Sequence, residues 1–152
     1  MVDVIVGIVD VGSNTVRLLV AAVDGGRVVE LDRDRHYVRL GDDVHAAGRI
    51  RTKKLVETAD IARKLVRAAR KRGAERIETI VTAPGRQASN GDELVRLLRK
   101  RTDAPVVQLT GEDEGRLAWE GAVARLDDPP EIVGVVDLGG GSFELAVGAP
   151  GL

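Results

Sequence analysis

Two stretches of this sequence share one design, in which an apolar run ends in an aspartate and a glycine-containing turn leads into a second apolar run. The first covers residues 4–23, with Asp10 before the turn, and the second covers residues 132–147, with Asp137 in the corresponding place. Each pattern predicts a strand, a tight turn and a strand, which is a β-hairpin with a polar tip. Such a repeat is much less expected by chance than either half. We therefore interpret it as an internal duplication whose two loops face one ligand.

A carboxylate at the end of a buried strand is costly unless it meets a cation or several hydrogen-bond donors. Small residues follow both aspartates, namely Gly12, Ser13 and Asn14 in the first turn and Gly139, Gly140, Gly141 and Ser142 in the second. Their backbone N–H groups can cradle a phosphate while the carboxylate holds a metal ion. The alternative is that Asp10 only accepts hydrogen bonds within its own turn, since short glycine-rich motifs match often.

Composition limits the classes of partner. The chain has 152 residues, which is typical of one domain, and it contains no cysteine. The lack of cysteine excludes disulfides and thiolate metal sites and fits a reducing compartment, so a cytoplasmic location is expected. No apolar run approaches the roughly 20 residues of a membrane span. The net charge of −1 argues against a bulk nucleic-acid binder. We therefore expect neither a membrane nor a nucleic acid among the partners.

The remaining patterns predict an α/β fold. Residues 27–37 follow a Gly-Gly turn and predict a third strand, which completes a three-stranded antiparallel meander. Helices are predicted at residues 52–72, 93–101 and 110–126, and further strands at residues 77–82 and 106–109. Strands that alternate with helices after a meander indicate a mixed sheet, with parallel strands added to the meander and helices on the faces.

Several local details complete this prediction. The polar residues 42–48 predict a loop, and the Pro-Gly pair before Arg86 predicts a turn just beyond a strand. Asn90 or Asp92 can cap the helix that follows. The packed face of the last helix is assigned to Leu117, Gly121 and Ala124. The basic residues of helix 52–72 predict a solvated face or, alternatively, a track for a long polyanion.

Polar residues gather at the predicted strand ends. In an open α/β sheet, ligands bind beyond the carboxyl ends of the strands, and Asp10, Arg86, the turn at residues 110–114 and Asp137 all fall at such ends. The acidic residues of that turn have a simpler explanation as well. Carboxylates in the first turn of a helix interact favourably with its dipole, by ~0.3–1 kcal/mol each. Periodicity alone therefore does not single out Glu114.

Taken together, these residues resemble the exopolyphosphatase and guanosine pentaphosphate phosphohydrolase family, which belongs to the actin-like superfamily with a ribonuclease H-like domain. The matching stretches are Asp10-Val-Gly-Ser-Asn14, Arg39-Leu-Gly41, Arg86-Gln-Ala-Ser-Asn90, Gly111-Glu-Asp-Glu-Gly-Arg-Leu117 and Asp137-Leu-Gly-Gly-Gly-Ser-Phe-Glu144. They occur in the family's order and span nearly the whole chain, which makes the set far more specific than any one of them.

The resemblance implies a role for each candidate residue. Glu114 matches the family's catalytic glutamate, which activates water. Magnesium-associated carboxylates are implied at Asp10, Asp137 and Glu144, with Mg²⁺ as the cofactor. Arg86 matches an arginine that contacts phosphate. The phosphate-binding loops are implied at Gly12, Ser13 and Asn14 and at Gly139, Gly140, Gly141 and Ser142.

The resemblance also implies a domain division. Residues 1–128 would form an N-terminal actin-like phosphatase domain, and residues 129–152 a linker and the opening hairpin of a truncated second domain. We therefore expect a fragment with little hydrolysis on its own. A lone apolar hairpin is marginal in water. Residues 132–147 are accordingly expected to pair with a second copy, giving a homo-oligomer, or to be poorly ordered.

The leading hypothesis from the sequence is a Mg²⁺-dependent hydrolase that releases terminal phosphate from inorganic polyphosphate, guanosine pentaphosphate or both. One alternative is a non-catalytic module that binds polyphosphate or nucleotide. Another is a kinase-like ATPase of the same superfamily, which Glu114 and Arg86 together argue against.

Overall fold

The computed structural model describes residues 4–150, which contain seven strands in two sheets and five helices. The strands are β1 (Val4–Val11), β2 (Thr15–Asp24), β3 (Arg27–Tyr37), β4 (Arg76–Val81), β5 (Val106–Gln108), β6 (Val133–Leu138) and β7 (Phe143–Gly148). The helices are α1 (Leu40–Ala47), α2 (Thr52–Lys71), α3 (Ala83–Gln87), α4 (Gly91–Thr102) and α5 (Gly111–Val123). Within these residues, none of the helices is long and apolar enough to span a bilayer.

The larger sheet has five strands in the order β3-β2-β1-β4-β5. Strands β1, β2 and β3 pair antiparallel, as the predicted meander requires, whereas β4 pairs parallel with both β1 and β5. The prediction of a mixed sheet is confirmed. Because β1, β4 and β5 run in the same direction, their carboxyl ends meet at one edge of the sheet.

Helix α2 covers one face of this sheet and supplies much of the core. Its buried apolar positions recur at helical spacing and are Leu55, Ala59, Ala62, Leu65, Val66 and Ala69. They contact alternate residues of β1 and β2, among them Val9, Val11 and Val16, which are fully buried. The helix ends before Gly73, whose φ of 84° is left-handed, as the sequence predicts.

The predicted loop at residues 42–48 is wrong, because most of that segment forms helix α1. Asp43 in this helix is buried, and its carboxylate accepts a hydrogen bond from the Arg51 backbone N–H at 2.9 Å and pairs with Lys54 at 3.3 Å. The Arg51 guanidinium is the main cause that lowers the pKa of Asp43 from 3.8 to about 2. This pairing therefore stabilises the fold above pH 3.8 and is lost as the pH falls towards 2. The polar sequence hides the helix because its anchor is a buried ion pair.

The predicted turn before Arg86 is also wrong, since the Pro-Gly pair lies inside the short helix α3. Gly85 serves close packing instead, since a Cβ there would lie 2.8 Å from the Val81 Cγ1. Asn90 occupies the N-cap position of α4 without a side-chain cap. Its side chain instead bonds both the N–H and the C=O of Ile50, each at 2.9 Å.

Strands β6 and β7 form a separate two-stranded sheet that packs on α5. The Trp119 indole N–H donates to the Val133 carbonyl oxygen at 2.8 Å, and the buried Gly115 lies against Glu144 and Ala146 of β7. The predicted packed face of α5 is therefore wrong, because Leu117, Gly121 and Ala124 are exposed. The hairpin lies against another side of the helix, so a domain boundary at residue 128 would separate two packed partners. That division stays a prediction.

The Asn90 bridge gives the first testable prediction. Asn90→Ala leaves the N–H and C=O of the fully buried Ile50 without partners. We expect the free energy of unfolding to fall by about 2–3 kcal/mol in urea denaturation. Ser89→Ala is the control, since Ser89 is exposed and bonds Gly48 only through its backbone N–H. Equal stability of Asn90→Ala and the unmodified chain would contradict the role of the bridge.

Candidate active site

A cleft of about 390 Å³ opens where the carboxyl ends of β1 and β4 meet α5 and the tip of the β6–β7 hairpin. Most of the residues singled out from the sequence line it: Asp10, Gly12, Ser13, Asn14, Glu114, Asp137, Gly139, Gly140, Gly141, Ser142 and Glu144. Elements that are far apart in the sequence therefore bring both turns and four carboxylates to one cavity.

The two loops have the same local geometry. We call residues 12–14 the first loop and residues 139–142 the second loop. The Gly12 N–H donates to the Thr15 carbonyl oxygen at 2.9 Å, and the Gly139 N–H donates to the Ser142 carbonyl oxygen at 3.0 Å. Each bond begins two residues after the aspartate and closes a turn of the same size. The structure thus bears out the shared hairpin design seen in the sequence.

The loops touch each other, and glycine makes the contact possible. A Cβ at Gly141 would lie 2.2 Å from the Ser13 Oγ, and one at Gly140 would lie 2.9 Å from the Asn14 Nδ2. The Gln87 side-chain amide also donates to the Gly141 carbonyl oxygen at 2.7 Å. The second loop is therefore held against the first loop and against helix α3.

Asp10 carries an unusual polar atom. Its Oδ1 is buried and has no hydrogen-bond partner among residues 4–150. Burial is the main cause that raises the pKa of Asp10, Arg17 opposes the rise, and Asp137 adds to it. Since a buried carboxylate oxygen without a donor is costly, this atom suits a cation.

The donor set fits magnesium. Asp137 and Glu144 are cross-strand partners, so their carboxylates share one face of the hairpin, and Asp137 acts electrostatically on Asp10. Within residues 4–150, no cluster of three or more His, Asp or Glu side chains could hold a metal by itself. Mg²⁺ commonly uses one or two carboxylates and completes its shell with water and substrate phosphates. Carboxylate oxygens without a complete protein cage therefore fit this ion.

Arg86 joins two of the carboxylates. Its guanidinium forms an ion pair with Glu114, lies 3.7 Å from Glu144, and donates to the Leu109 carbonyl oxygen at 2.8 Å. Arg86 itself does not line the cleft. The carboxylates of Glu114 and Glu144, which it contacts, lie between its guanidinium and the cavity. To contact a phosphate, the guanidinium would have to share or exchange these partners.

Glu114 lies in the first turn of α5, behind a capping box formed by Thr110 and Asp113. The cap explains Asp113, whose N–H donates to the Thr110 hydroxyl at 3.0 Å. Burial is the main cause that raises the pKa of Glu114, and Arg86 opposes it. Glu144 and Asp10 raise it further. A largely buried carboxylate with a raised pKa at a cleft wall is chemically suited to accept a proton from water.

Sequence reasoning missed Arg17, which lines the cleft beside Asp10. The strand register pairs Asp10 with Arg17 and Asp137 with Glu144, so both partners stand seven residues after their aspartate. Aligning the two hairpins would therefore have identified Arg17. Gln87 carried no such signal, because its contact depends on how α3 meets the second loop.

Comparisons with known proteins point to one family. The model of the Ppx/GppA phosphatase family matches residues 19–150. Exopolyphosphatase 2 of Mycobacterium tuberculosis is 30% identical over 152 residues, covering 94% of this chain and 48% of the relative. Exopolyphosphatase 1 of the same organism is 31% identical over 153 residues, covering 93% of this chain and 42% of the relative.

Solved structures give the same result for the fold. The crystal structure of the Aquifex aeolicus Ppx/GppA family member superposes with a TM-score of 0.85 at 29% identity. The superposition covers 96% of this chain and 47% of that protein. The fold is thus the actin-like fold of these proteins, and the chain spans about half the length of the relatives it matches.

The contact between the loops gives the second prediction. Gly141→Ala would place a Cβ against the Ser13 hydroxyl and force the loops apart. We expect amide hydrogen exchange at residues 12–14 and 139–142 to become about tenfold faster or more. The control is Gly121→Ala, because a Cβ at Gly121 meets nothing within 4 Å. Unchanged exchange in both loops would contradict the contact.

Proposed function

We propose that the cleft of this chain, which belongs to the Ppx/GppA phosphatase family, binds the end of a phosphate chain. The cleft would also supply the carboxylate that activates water for hydrolysis of the terminal phosphoanhydride bond. The observation that carries the proposal is the position of Glu114. Its largely buried carboxylate lines the same cleft as both glycine-containing loops. A base and two anion cradles in one cavity are what phosphoryl hydrolysis requires.

The chain's own residues would perform three tasks. Backbone N–H groups of the first and second loops would hold phosphate oxygens. Arg17 would add a positive charge beside them, since it lines the cleft and has no carboxylate within ion-pair distance among residues 4–150. Glu114 would orient a water molecule and accept its proton, because its raised pKa makes it a better base than an ordinary carboxylate.

A divalent cation completes this chemistry. Four carboxylates face one cavity, and an incoming phosphate chain adds more negative charge. Asp10 and Asp137 would hold Mg²⁺, with Glu144 beside them. When bound, the ion neutralises charge on the phosphates and their leaving oxygen. Phosphoryl transfer depends on such positioning and neutralisation more than on covalent catalysis.

The family of this chain supports phosphate chains as the class of substrate. Relatives of this chain carry the name exopolyphosphatase, which supports inorganic polyphosphate as a substrate. Guanosine pentaphosphate offers the same terminal phosphoanhydride bond and is proposed as a second substrate. Both would be met in the cytoplasm, the location expected from the cysteine-free sequence.

A second candidate function is binding of polyphosphate without turnover. The observation in its favour is that the matches cover 42–48% of the relatives, so parts of their sites can lie outside the region this chain matches.

The outer face of the β6–β7 hairpin is apolar and exposed, with Leu138, Phe143 and Val147 each more than half accessible. That face is the reason for retaining the homo-oligomer as a prediction.

The third prediction tests Glu114. In the presence of Mg²⁺, Glu114→Gln should cut phosphate release from inorganic tripolyphosphate by roughly 10²-fold or more, because the proton acceptor is lost. Tripolyphosphate binding, measured by calorimetry, should change little. Glu112→Gln is the matched control, because it makes the same change at an exposed carboxylate of the same helix.

Three results would decide between the candidate functions. Full activity of Glu114→Gln would contradict the role of Glu114. Binding of tripolyphosphate without phosphate release by the unmodified chain would favour the second candidate. If the unmodified chain neither bound tripolyphosphate nor released phosphate from it, both candidate functions would be contradicted.

The fourth prediction concerns the cation. If Asp10 and Asp137 share one ion, Asp10→Asn and Asp137→Asn should each raise the Mg²⁺ concentration needed for tripolyphosphate binding, because each removes one anionic ligand. Asp128→Asn makes the same change outside the cleft and should have no effect. Calorimetric Mg²⁺ titrations that are identical for all four proteins would exclude a shared site.

A further inference from the structure

The second loop is anchored from outside the cleft by a single side chain. Gln87, an exposed residue of helix α3, donates through its side-chain amide to the Gly141 carbonyl oxygen at 2.7 Å. It lines a separate cavity behind the two loops, which we call the outer cavity, together with Asn14, His45 and Gly141. Gln87 does not line the cleft itself. The Gly141 carbonyl group therefore points towards the outer cavity and away from the cleft.

The first loop restrains the corresponding carbonyl group. Asn14 and Gly141 both stand four residues after the aspartate of their hairpin. The Asn14 carbonyl oxygen accepts hydrogen bonds from the backbone N–H groups of Val38 and Arg39, at 2.9 and 3.0 Å. Both hairpins thus hold the same carbonyl group in place. The first hairpin uses backbone groups that follow β3, whereas the second uses one side chain.

The restrained carbonyl determines the direction of the next N–H group. In a planar trans peptide, the C=O and the N–H point to opposite sides. With the Gly141 carbonyl held on the side of the outer cavity, the Ser142 N–H points to the side of the cleft, which Ser142 lines. Among residues 4–150 this N–H has no backbone acceptor. It is therefore free to donate to a phosphate oxygen.

The sequence of the second loop makes this direction depend on the anchor. Residues 139–141 are all glycine, which adopts backbone angles that other residues avoid, so the peptide can turn over. The loop's own closing bond runs from the Gly139 N–H to the Ser142 carbonyl oxygen and does not include the Gly141–Ser142 peptide. A turned peptide would direct the Gly141 carbonyl oxygen into the cleft, where it would repel a phosphate.

We propose that Gln87 is a positioning residue, which holds the Gly141–Ser142 peptide so that the Ser142 N–H faces a phosphate in the cleft. This inference rests on the function proposed for the cleft. Gln87 lies behind the loop, so it would touch neither the phosphate chain nor the attacking water. It would therefore set the affinity for the phosphate end and take no part in the proton transfer assigned to Glu114.

Calorimetry with inorganic tripolyphosphate and Mg²⁺ tests the proposal. The Glu114→Gln background prevents turnover during the measurement. Gln87→Met keeps the length of the side chain and removes the donor. We expect it to weaken tripolyphosphate binding about 5-fold, which is the effect of one hydrogen bond. Gln87→Glu places a carboxylate against the Gly141 carbonyl oxygen and should weaken binding further, because the two groups repel each other.

Two controls separate the direction of the peptide from added charge and from a loosened loop. His45→Glu adds a carboxylate to the same outer cavity without removing the bond to Gly141, and it should weaken binding less than Gln87→Glu does. In Gln87→Met without ligand, the carbonyl carbon signal of Gly141 should shift in the nuclear magnetic resonance spectrum. Amide hydrogen exchange at Gly139 should stay unchanged, since its own bond remains.

The outcomes separate this inference from the proposed function. Equal tripolyphosphate affinity of Gln87→Met and its Glu114→Gln parent would overturn the positioning role and leave the proposed function in place. Weaker binding with faster exchange at Gly139 would reduce Gln87 to a structural residue and would overturn that role as well. A loss in His45→Glu as large as that in Gln87→Glu would assign the effect to charge instead. Failure of the unmodified chain to bind tripolyphosphate would overturn both proposals.

Discussion

The cost of bringing carboxylates together in a partly buried cleft is the constraint on which the rest of this structure depends. Asp10, Glu114, Asp137 and Glu144 face one cavity, and Asp10 keeps a buried oxygen without a donor. Arg17 lines the cavity beside Asp10, and Arg86 contacts Glu114 and Glu144. The protein itself does not neutralise this charge fully, and the proposed Mg²⁺ would complete the neutralisation.

Much of this arrangement was predictable from the sequence for one reason. A carboxylate that closes an apolar run is conspicuous, and the chain contains two such runs with turns of matching length. The meander, the parallel strands and helix α2 followed from periodicity and β-branched runs, which are local signals. The meeting of both loops in one cleft followed from their shared design, since the rule about strand ends covers β1 and β4 but not β6, which belongs to the separate sheet.

The features that sequence reasoning missed depend on tertiary partners. Helix α1 is polar, and its anchor is Asp43 paired with residues beyond the helix. The packed face of α5 is chosen by a hairpin that approaches Gly115 and Trp119, and helical periodicity pointed elsewhere. The ion pairs of Arg86 with two carboxylates were not predicted, and its contact with phosphate stays a prediction. None of these pairings has a signature within a short window of sequence.

The two hairpins differ at one position, and this difference makes the two sides of the cleft electrostatically unequal. Seven residues after the aspartate, the first hairpin carries Arg17 and the second carries Glu144. One side of the cleft thus has an arginine opposite its aspartate, whereas the other side has two acidic groups opposite each other. The cavity therefore has an electrostatic polarity. In the proposed function, the body of a bound phosphate chain would lie along the arginine side, and its end would point towards the acidic side together with the proposed cation.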